Sequence, residues 1–228
     1  MVGIIVAMTE ELEAIKEYMN NTTVEIKCEN EFYIGIIGKK EVILTTCGVG
    51  KVNSARIAQI LIDNYNPDFI INIGVAGSVN NNLRIGDIVI GEKLVQYDFD
   101  LTAFGREKGE ISDKVGKFIY SDKELINKAE NQFWRNNEIK VVKGTIASGD
   151  RFVTETSLSK EIKDEFEADC VEMEGAAIAQ VCFLDRVPFI VIRSISDSPN
   201  ENNKVDFETF LHKATQNVAS FINRFLGI

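Results

Sequence analysis

Histidine is almost missing from this chain of 228 residues, where His212 stands alone. One imidazole makes no metal site and leaves no credible Ser-His-Asp or Cys-His arrangement. The four cysteines, Cys28, Cys47, Cys170 and Cys182, form no C-x-x-C pair and read as small buried hydrophobes in a reducing compartment. Basic residues are short too: 25 Lys and Arg against 35 Asp and Glu give a net charge of −10. That balance argues against a nucleic-acid or anionic-membrane surface, both of which need clustered Lys and Arg. No apolar run approaches the roughly 18 residues of a membrane span. The opening M-V-G-I-I-V-A-M-T-E-E has an apolar run too short for a signal peptide and no basic region before it. The expectation is a soluble, acidic, cytoplasmic protein with no metal, cofactor, nucleic-acid or membrane partner.

What is present is an ordinary globular composition, 45% hydrophobic and 26% charged. The length suits one domain over residues 1–228, and no repeat, low-complexity tract or linker divides it. Val2–Met8 is a continuous apolar run, as in a strand buried on both faces. Thr9 reads as the N-cap of a helix reaching about Met19. Strands follow near Val24–Lys27, Glu31–Ile37 and Glu41–Thr46, then a helix over Val52–Asn64 ended by Asn66-Pro67. Phe69–Ile73 and Ile85–Gln96 read as strands, and the polar, glycine-dotted segment from Tyr97 to Tyr120 as a functional or interface loop. Beyond it lie a helix near Asp122–Asn136, a strand near Lys140–Ala147 and a short helix after Thr156. A strand at Asp169–Glu172, a helix over Glu174–Leu184, a strand at Pro188–Ile195 and a helix from Asp206 to Phe225 complete the chain. Buried strands alternating with helices predict an α/β fold, a three-layer sandwich with a central mixed sheet flanked by helices.

In α/β sheets ligands bind beyond the carboxyl ends of the strands. The residues after each strand are Glu10 and Glu11, C-G-V-G-K (47–51), G-V-A-G (74–77), S-G-D-R-F-V (148–153), E-M-E-G (172–175) and R-S-I-S-D (193–197). Taken singly, each has a plain reading. Glu10, Glu11 and the acids of V-E-M-E-G suit the first turn of a helix. C-G-V-G-K fails as a phosphate loop, because Thr45 replaces its first glycine and Val52 the magnesium-holding hydroxyl. It reads instead as a tight turn, as does G-V-A-G. Phe152 suits a core position and Asp197 a turn. Together, Glu11, Glu174 and Asp197 emerge from three strand ends on one edge. Separated acid and base carboxylates suit cleavage of a glycosidic bond, where one protonates the leaving group and another activates water.

The ordered set A-M-x-E-E, C-G-V-G-K, N-I-G-V-A-G, D-x-T-A-F-G, S-G-D-R-F-V, V-E-M-E-G-A-A and R-S-I-S-D resembles the 5′-methylthioadenosine/S-adenosylhomocysteine nucleosidases, of the purine nucleoside phosphorylase-like fold. The resemblance implies a cofactor-free hydrolase of methionine salvage, acting on a small nucleoside. It implies Asp197 as general acid at adenine N7, with Ser196 beside it and a raised pKa, and Glu11 as the base that activates water. Glu174 would hold the ribose hydroxyls, Met173 would pack under the sugar, and Arg193 would steady the carboxylates. Glu172 falls at the site edge, with a ribose or a structural role. Phe152 would stack on adenine and Val153 would bond its edge. Met8, Val49, Ala76 and Phe207 would line the ribose and 5′ side. The D-x-T-A-F-G segment, with Phe104, would complete the 5′ pocket from the neighbouring subunit of a homodimer.

Arginines would be needed to hold phosphate, whereas Glu10 and Glu11 repel it, so hydrolysis is expected over phosphorolysis. Val75 replaces a serine common in the family, and Arg106 and Lys108 stand at positions usually aromatic. Arg106 raises the possibility of a contact to a homocysteine carboxylate, against a solvated loop charge. The alternatives are a futalosine or 5′-deoxyadenosine hydrolase, a phosphorylase, and a non-catalytic nucleoside binder.

Overall fold

The computed structural model describes residues 1–133, 139–198 and 203–227. Among these residues ten strands and six helices follow in order: β1 (Val2–Val6), α1 (Thr9–Lys16), β2 (Asn20–Lys27), β3 (Asn30–Ile37), β4 (Lys40–Thr46), α2 (Lys51–Tyr65), β5 (Phe69–Ser78), β6 (Ile88–Gln96), β7 (Ile119–Tyr120), α3 (Lys123–Phe133), β8 (Val141–Ser148), α4 (Thr156–Phe166), β9 (Ala168–Glu172), α5 (Gly175–Asp185), β10 (Phe189–Asp197) and α6 (Asn203–Leu226). All five residues of β1 and all nine of β10 are buried, as the apolar runs Val2–Val6 and Phe189–Ile192 require in a sheet covered on both faces, and Arg193, Ser194, Ser196 and Asp197 are buried with them. Leu12 and Ile15 of α1 join Phe221, Ile222 and Phe225 of α6 in one core layer; Ile57 and Leu61 of α2 join Ile178 and Cys182 of α5 in the other. The expected α/β sandwich with a mixed sheet is what forms.

The sheet runs β10-β6-β8-β9-β5-β1-β4-β3-β2, and β10 also pairs with β5. Strands β5, β10, β6, β8 and β9 therefore close into a ring, joined by the short antiparallel pairing of Gly77 with Val171 and Ser78 with Cys170. Closure draws the ends of β5, β9 and β10 together.

Several expected boundaries move. The cap of α1 is Met8, not Thr9, and α1 stops at Lys16, short of Met19. G-V-A-G is no turn: β5 continues through it to Ser78, hydrogen-bonded to β10 in parallel register. Gly74 is there for room, since a Cβ would lie 2.6 Å from Glu11 Oε1. The strand expected from Ile85 begins at Ile88, because Gly86 takes φ +95° and Asp87 folds back to accept the Arg84 and Lys140 amides at 2.8 and 3.1 Å. Strand β2 starts at Asn20, earlier than Val24, because the first half of this solvent-exposed edge strand, N-N-T-T, is wholly polar. In α3, Asp122 accepts the Glu124 and Leu125 amides at 2.9 and 3.0 Å, and the part expected at 134–136 lies outside the described residues. Cys47, Cys170 and Cys182 are buried as expected, but Cys28 is exposed, in the turn between β2 and β3.

Candidate active site

A cavity of about 270 Å³ opens at the carboxyl ends of β1, β5, β9 and β10, lined by Met8, Glu11, Val49, Ala76, Phe152, Glu172, Met173, Glu174, Ser196, Asp197 and Phe207, with Ala7, Val75, Gly77 and Val171. A smaller adjoining recess adds Val153 and Arg151.

Each carboxylate arrives by a local rule. At the N-terminus of α1 the first amides lack helical acceptors. Glu11 turns back to take them, with Oε2 accepting from Ala7 N at 2.9 Å and Met8 N at 3.0 Å. Its Oε1 accepts from Val75 N at 3.1 Å, across the strand gap that Gly74 leaves. Glu10, one residue earlier, points to solvent, so only one acid of this pair faces the cavity. Glu11 is 2% exposed, and burial pushes its carboxyl above the ordinary range against the opposing pull of Arg193 and of three backbone amides.

Glu174 is the N-cap residue of α5, where β9 gives way to a run of small residues. Its Oε1 accepts from Gly50 N at 2.8 Å. The tight turn 47–51 makes this approach possible, with Gly48 at φ +78° and Gly50 at φ +101°. Burial first, then the neighbouring Glu172 charge, pushes the Glu174 carboxyl up to about 7.

Ser196 and Asp197 sit where β10 slips against β5: Ile195 pairs Ala76, yet Asp197 pairs Gly77. The extra residue is a bulge, which re-aims side chains at a strand end. The Ser196 hydroxyl donates to Asp197 Oδ1 at 2.7 Å, and Asp197 is 2% exposed. Phe152 and Phe207 meet edge to face at 5.7 Å, walling the cavity.

Two expected site residues lie elsewhere. Arg193 is sealed beneath the cavity at 1% exposure, bonded to Glu172 and to Asn72 Oδ1 at 2.5 Å. Burial opposes its charge, but Glu172, Glu174 and Glu11 more than offset that and raise its pKa. Phe104 follows β6 in a single helical turn, is 83% exposed and does not line the cavity of its own chain. Arg106 pairs with Glu110 and Asp113 at 2.6 and 2.8 Å, and Lys108 with Glu161 at 2.5 Å. Arg106 is thus engaged within its own loop and Lys108 by helix α4. His212 is exposed on α6, away from the cavity. Ser148 and Asn72 were missed as individuals, although S-G-D-R-F-V and N-I-G-V-A-G contain them. A buried polar residue at the end of an apolar strand was the available signal. Among the described residues no cluster of His, Cys, Asp and Glu is arranged to hold a metal, and no helix is long and apolar enough to cross a membrane.

The described family model named Phosphorylase superfamily matches residues 1–227. A 5′-methylthioadenosine/S-adenosylhomocysteine nucleosidase of Bacillus pumilus is 37% identical over 226 residues, covering 99% of this chain and 97% of its own. The crystal structure of the Neisseria meningitidis 5′-methylthioadenosine/S-adenosylhomocysteine nucleosidase with methylthio-immucillin-A superposes with TM-score 0.96 at 36% identity, over 99% of this chain and 98% of that one. Futalosine hydrolase of Helicobacter pylori strain 26695 superposes with TM-score 0.94 at 35% identity, over 98% and 96% of the two chains. The chain belongs to the phosphorylase superfamily, among its 5′-methylthioadenosine/S-adenosylhomocysteine nucleosidases.

Proposed function

We propose that this protein hydrolyses the N-glycosidic bond of 5′-methylthioadenosine and S-adenosylhomocysteine, releasing adenine and the 5-thioribose product. The observation that carries the chemistry is the charge of the cavity wall. Among the described residues Glu11, Glu172, Glu174 and Asp197 line it without any Lys, Arg or His, and Arg151 borders only the smaller adjoining recess. Such a wall stabilises positive charge building on a sugar and disfavours phosphate as the nucleophile.

In this reading Asp197 gives a proton to adenine N7 as the bond from C1′ to N9 breaks, and the adjoining Ser196 hydroxyl orients it. Glu11 takes a proton from water as its oxygen bonds to C1′. The proton that Glu11 takes up equals the one that Asp197 gives, so exchange with solvent restores both carboxyls and the reaction consumes one water. Glu174 accepts the ribose hydroxyls, Met173 floors the sugar, and Phe152 stacks on adenine, with Val153 at the base edge. Met8, Val49, Ala76 and Phe207 surround the ribose and its 5′ group. The exposure of Phe104 supports a homodimer in which that residue reaches the neighbour's 5′ pocket. A cytoplasmic place in methionine salvage accords with this substrate class.

A futalosine hydrolase is the second reading, favoured by the 35% identity to the Helicobacter pylori enzyme. Adenine release from methylthioadenosine without phosphate, compared between wild type and Asp197→Asn, tests the mechanism. At least about a hundredfold loss is expected, since general acid catalysis supplies about 10²–10⁴. Equal rates in the two proteins would sink the assignment. A panel of 5′-substituted nucleosides, with futalosine included, ranks the substrates.

A further inference from the structure

Glu172 differs from the other carboxylates of the cavity in how many donors converge on it. Its Oε2 accepts from Glu174 N at 3.1 Å, Gly175 N at 2.8 Å and Arg193 Nε at 3.2 Å, and from Arg193 Nη2; its Oε1 accepts from the Ser148 hydroxyl. Ser148 in turn accepts from Ala176 N at 2.7 Å. The amides of 174, 175 and 176, which open α5, are thus all taken up by Glu172 or by the serine that binds it. A helix N-terminus is a ready anion site, and here the protein's own carboxylate fills it. Gly175 lets that carboxylate fold over the helix start, since a Cβ there would lie 3.2 and 3.3 Å from its two oxygens.

We propose that Glu172 is a positioning residue and not a substrate contact: it pairs with Arg193 and anchors the start of α5, leaving Glu11 and Glu174 to serve the cavity beside Asp197. The inference rests on the nucleosidase reading only for the roles of Glu11 and Glu174. Among the described residues Arg193 is the one buried cation, and Glu172 holds it by two nitrogens while Asn72 takes a further hydrogen. A buried guanidinium left without its carboxylate would act on every acid nearby. The groups that face this cluster are Glu11 from α1, Cys47 from the turn before α2, and Tyr97 from the end of β6. Arg151 faces it from the loop after β8, Cys170 and Glu174 from β9 and the start of α5, and Asp197 from β10.

The sign of each perturbation follows. Glu172→Gln removes a negative charge and releases Arg193, so Glu11 and Glu174 ionise more readily. The acid limb of the kcat/KM profile for adenine release then moves to lower pH, by about one unit. Arg193→Met leaves Glu172 unneutralised and moves the limb to higher pH. Glu172→Gln combined with Arg193→Met brings it back to within about a third of a unit of wild type, as expected for two residues whose effects are coupled. Glu172→Asp keeps the charge, so its limb stays near that of wild type even where the rate falls.

A purely structural role lowers the rate at every pH and moves no limb, and that result overturns the proposal. If Glu172→Gln does not fold, Arg193→Met against the double variant carries the same test, and a limb that fails to return refutes it. Should wild type release no adenine, the functional reading fails by itself. The carboxyl ¹³C titrations of Glu11 and Glu174 then read the same shifts without substrate, and unshifted titrations in Glu172→Gln overturn the inference.

Discussion

Replacing Gly74 by alanine adds one methyl group at the most confined point of the cavity wall. Gly74 lies inside β5, opposite Arg193 of β10, and it has no positive φ to forbid a side chain. Backbone preference alone makes the change neutral or stabilising by about 0.4–1 kcal/mol. Sterics decide otherwise. The new Cβ would stand 2.6 Å from Glu11 Oε1 and 3.6 Å from Arg193 Nη1, and ordinary contact begins at 3.4 Å, so the carboxylate has to retreat by 3.4 − 2.6 = 0.8 Å. That retreat strains the 3.1 Å bond from Val75 N and moves Glu11 out of line with the attacking water. Overpacking of this kind costs about 1–3 kcal/mol, which for a chain of this size lowers Tm by about 2–12 °C. A misplacement of about 1 Å at a reacting group costs about 10²-fold in rate. The expected result is a folded protein with KM little changed and kcat for adenine release reduced about 10–100-fold. The checks are steady-state kinetics and thermal unfolding of the same preparation. Wild-type kcat with an unchanged or raised Tm would refute the reasoning, because Glu11 would then not be held where its contacts place it.

Two further outcomes are expected. Glu174 titrates near 7 and serves the ribose hydroxyls best when ionised, so KM for methylthioadenosine rises as pH falls from 8 to 5.5; a flat KM across that range contradicts its role. The linked stability has the opposite sign. A carboxyl raised from 4.5 to about 7 by folding favours the folded state most below 4.5, and this contribution is lost as pH rises through about 7. Urea unfolding of the free protein detects it as a stability gain in Glu174→Gln at pH 8, and no gain there contradicts the burial argument. Phe104→Ala leaves Tm within about 2 °C, because surface changes cost within about 0.5 kcal/mol, yet it raises KM for methylthioadenosine several-fold. An unchanged KM in a protein that sediments as a dimer removes Phe104 from the neighbour's pocket.

Much of this was legible because it is local. The buried strands β1, β5 and β10 announce themselves as apolar runs, and the acids and glycines that follow them mark the ligand edge. The turn at 47–51 follows from its glycines, and both Gly48 and Gly50 take positive φ. Less legible were features set by neighbours distant in the chain. G-V-A-G looks like a turn by composition, yet pairing with β10 makes it strand. Nothing in the local pattern separates Glu10 from Glu11, and nothing marks Ser196 as the residue that displaces Asp197 by one register step.

The amino-acid sequence by itself determined the alternation of strands and helices, the absence of metal-binding and basic motifs, and the set of acids at the strand ends. Period, turn chemistry and charge act over a few residues, so they are written in order along the chain. Only the tertiary structure decided the division of labour among those acids. Ring closure through Gly77 and Val171 brings β5, β9 and β10 to one cavity. Arg193 beneath it takes Glu172 and leaves Glu174 to the Gly50 amide and the open space. Residues 172 and 174 lie two apart where β9 gives way to α5, and long-range packing alone chose which of them takes Arg193 and which takes the Gly50 amide.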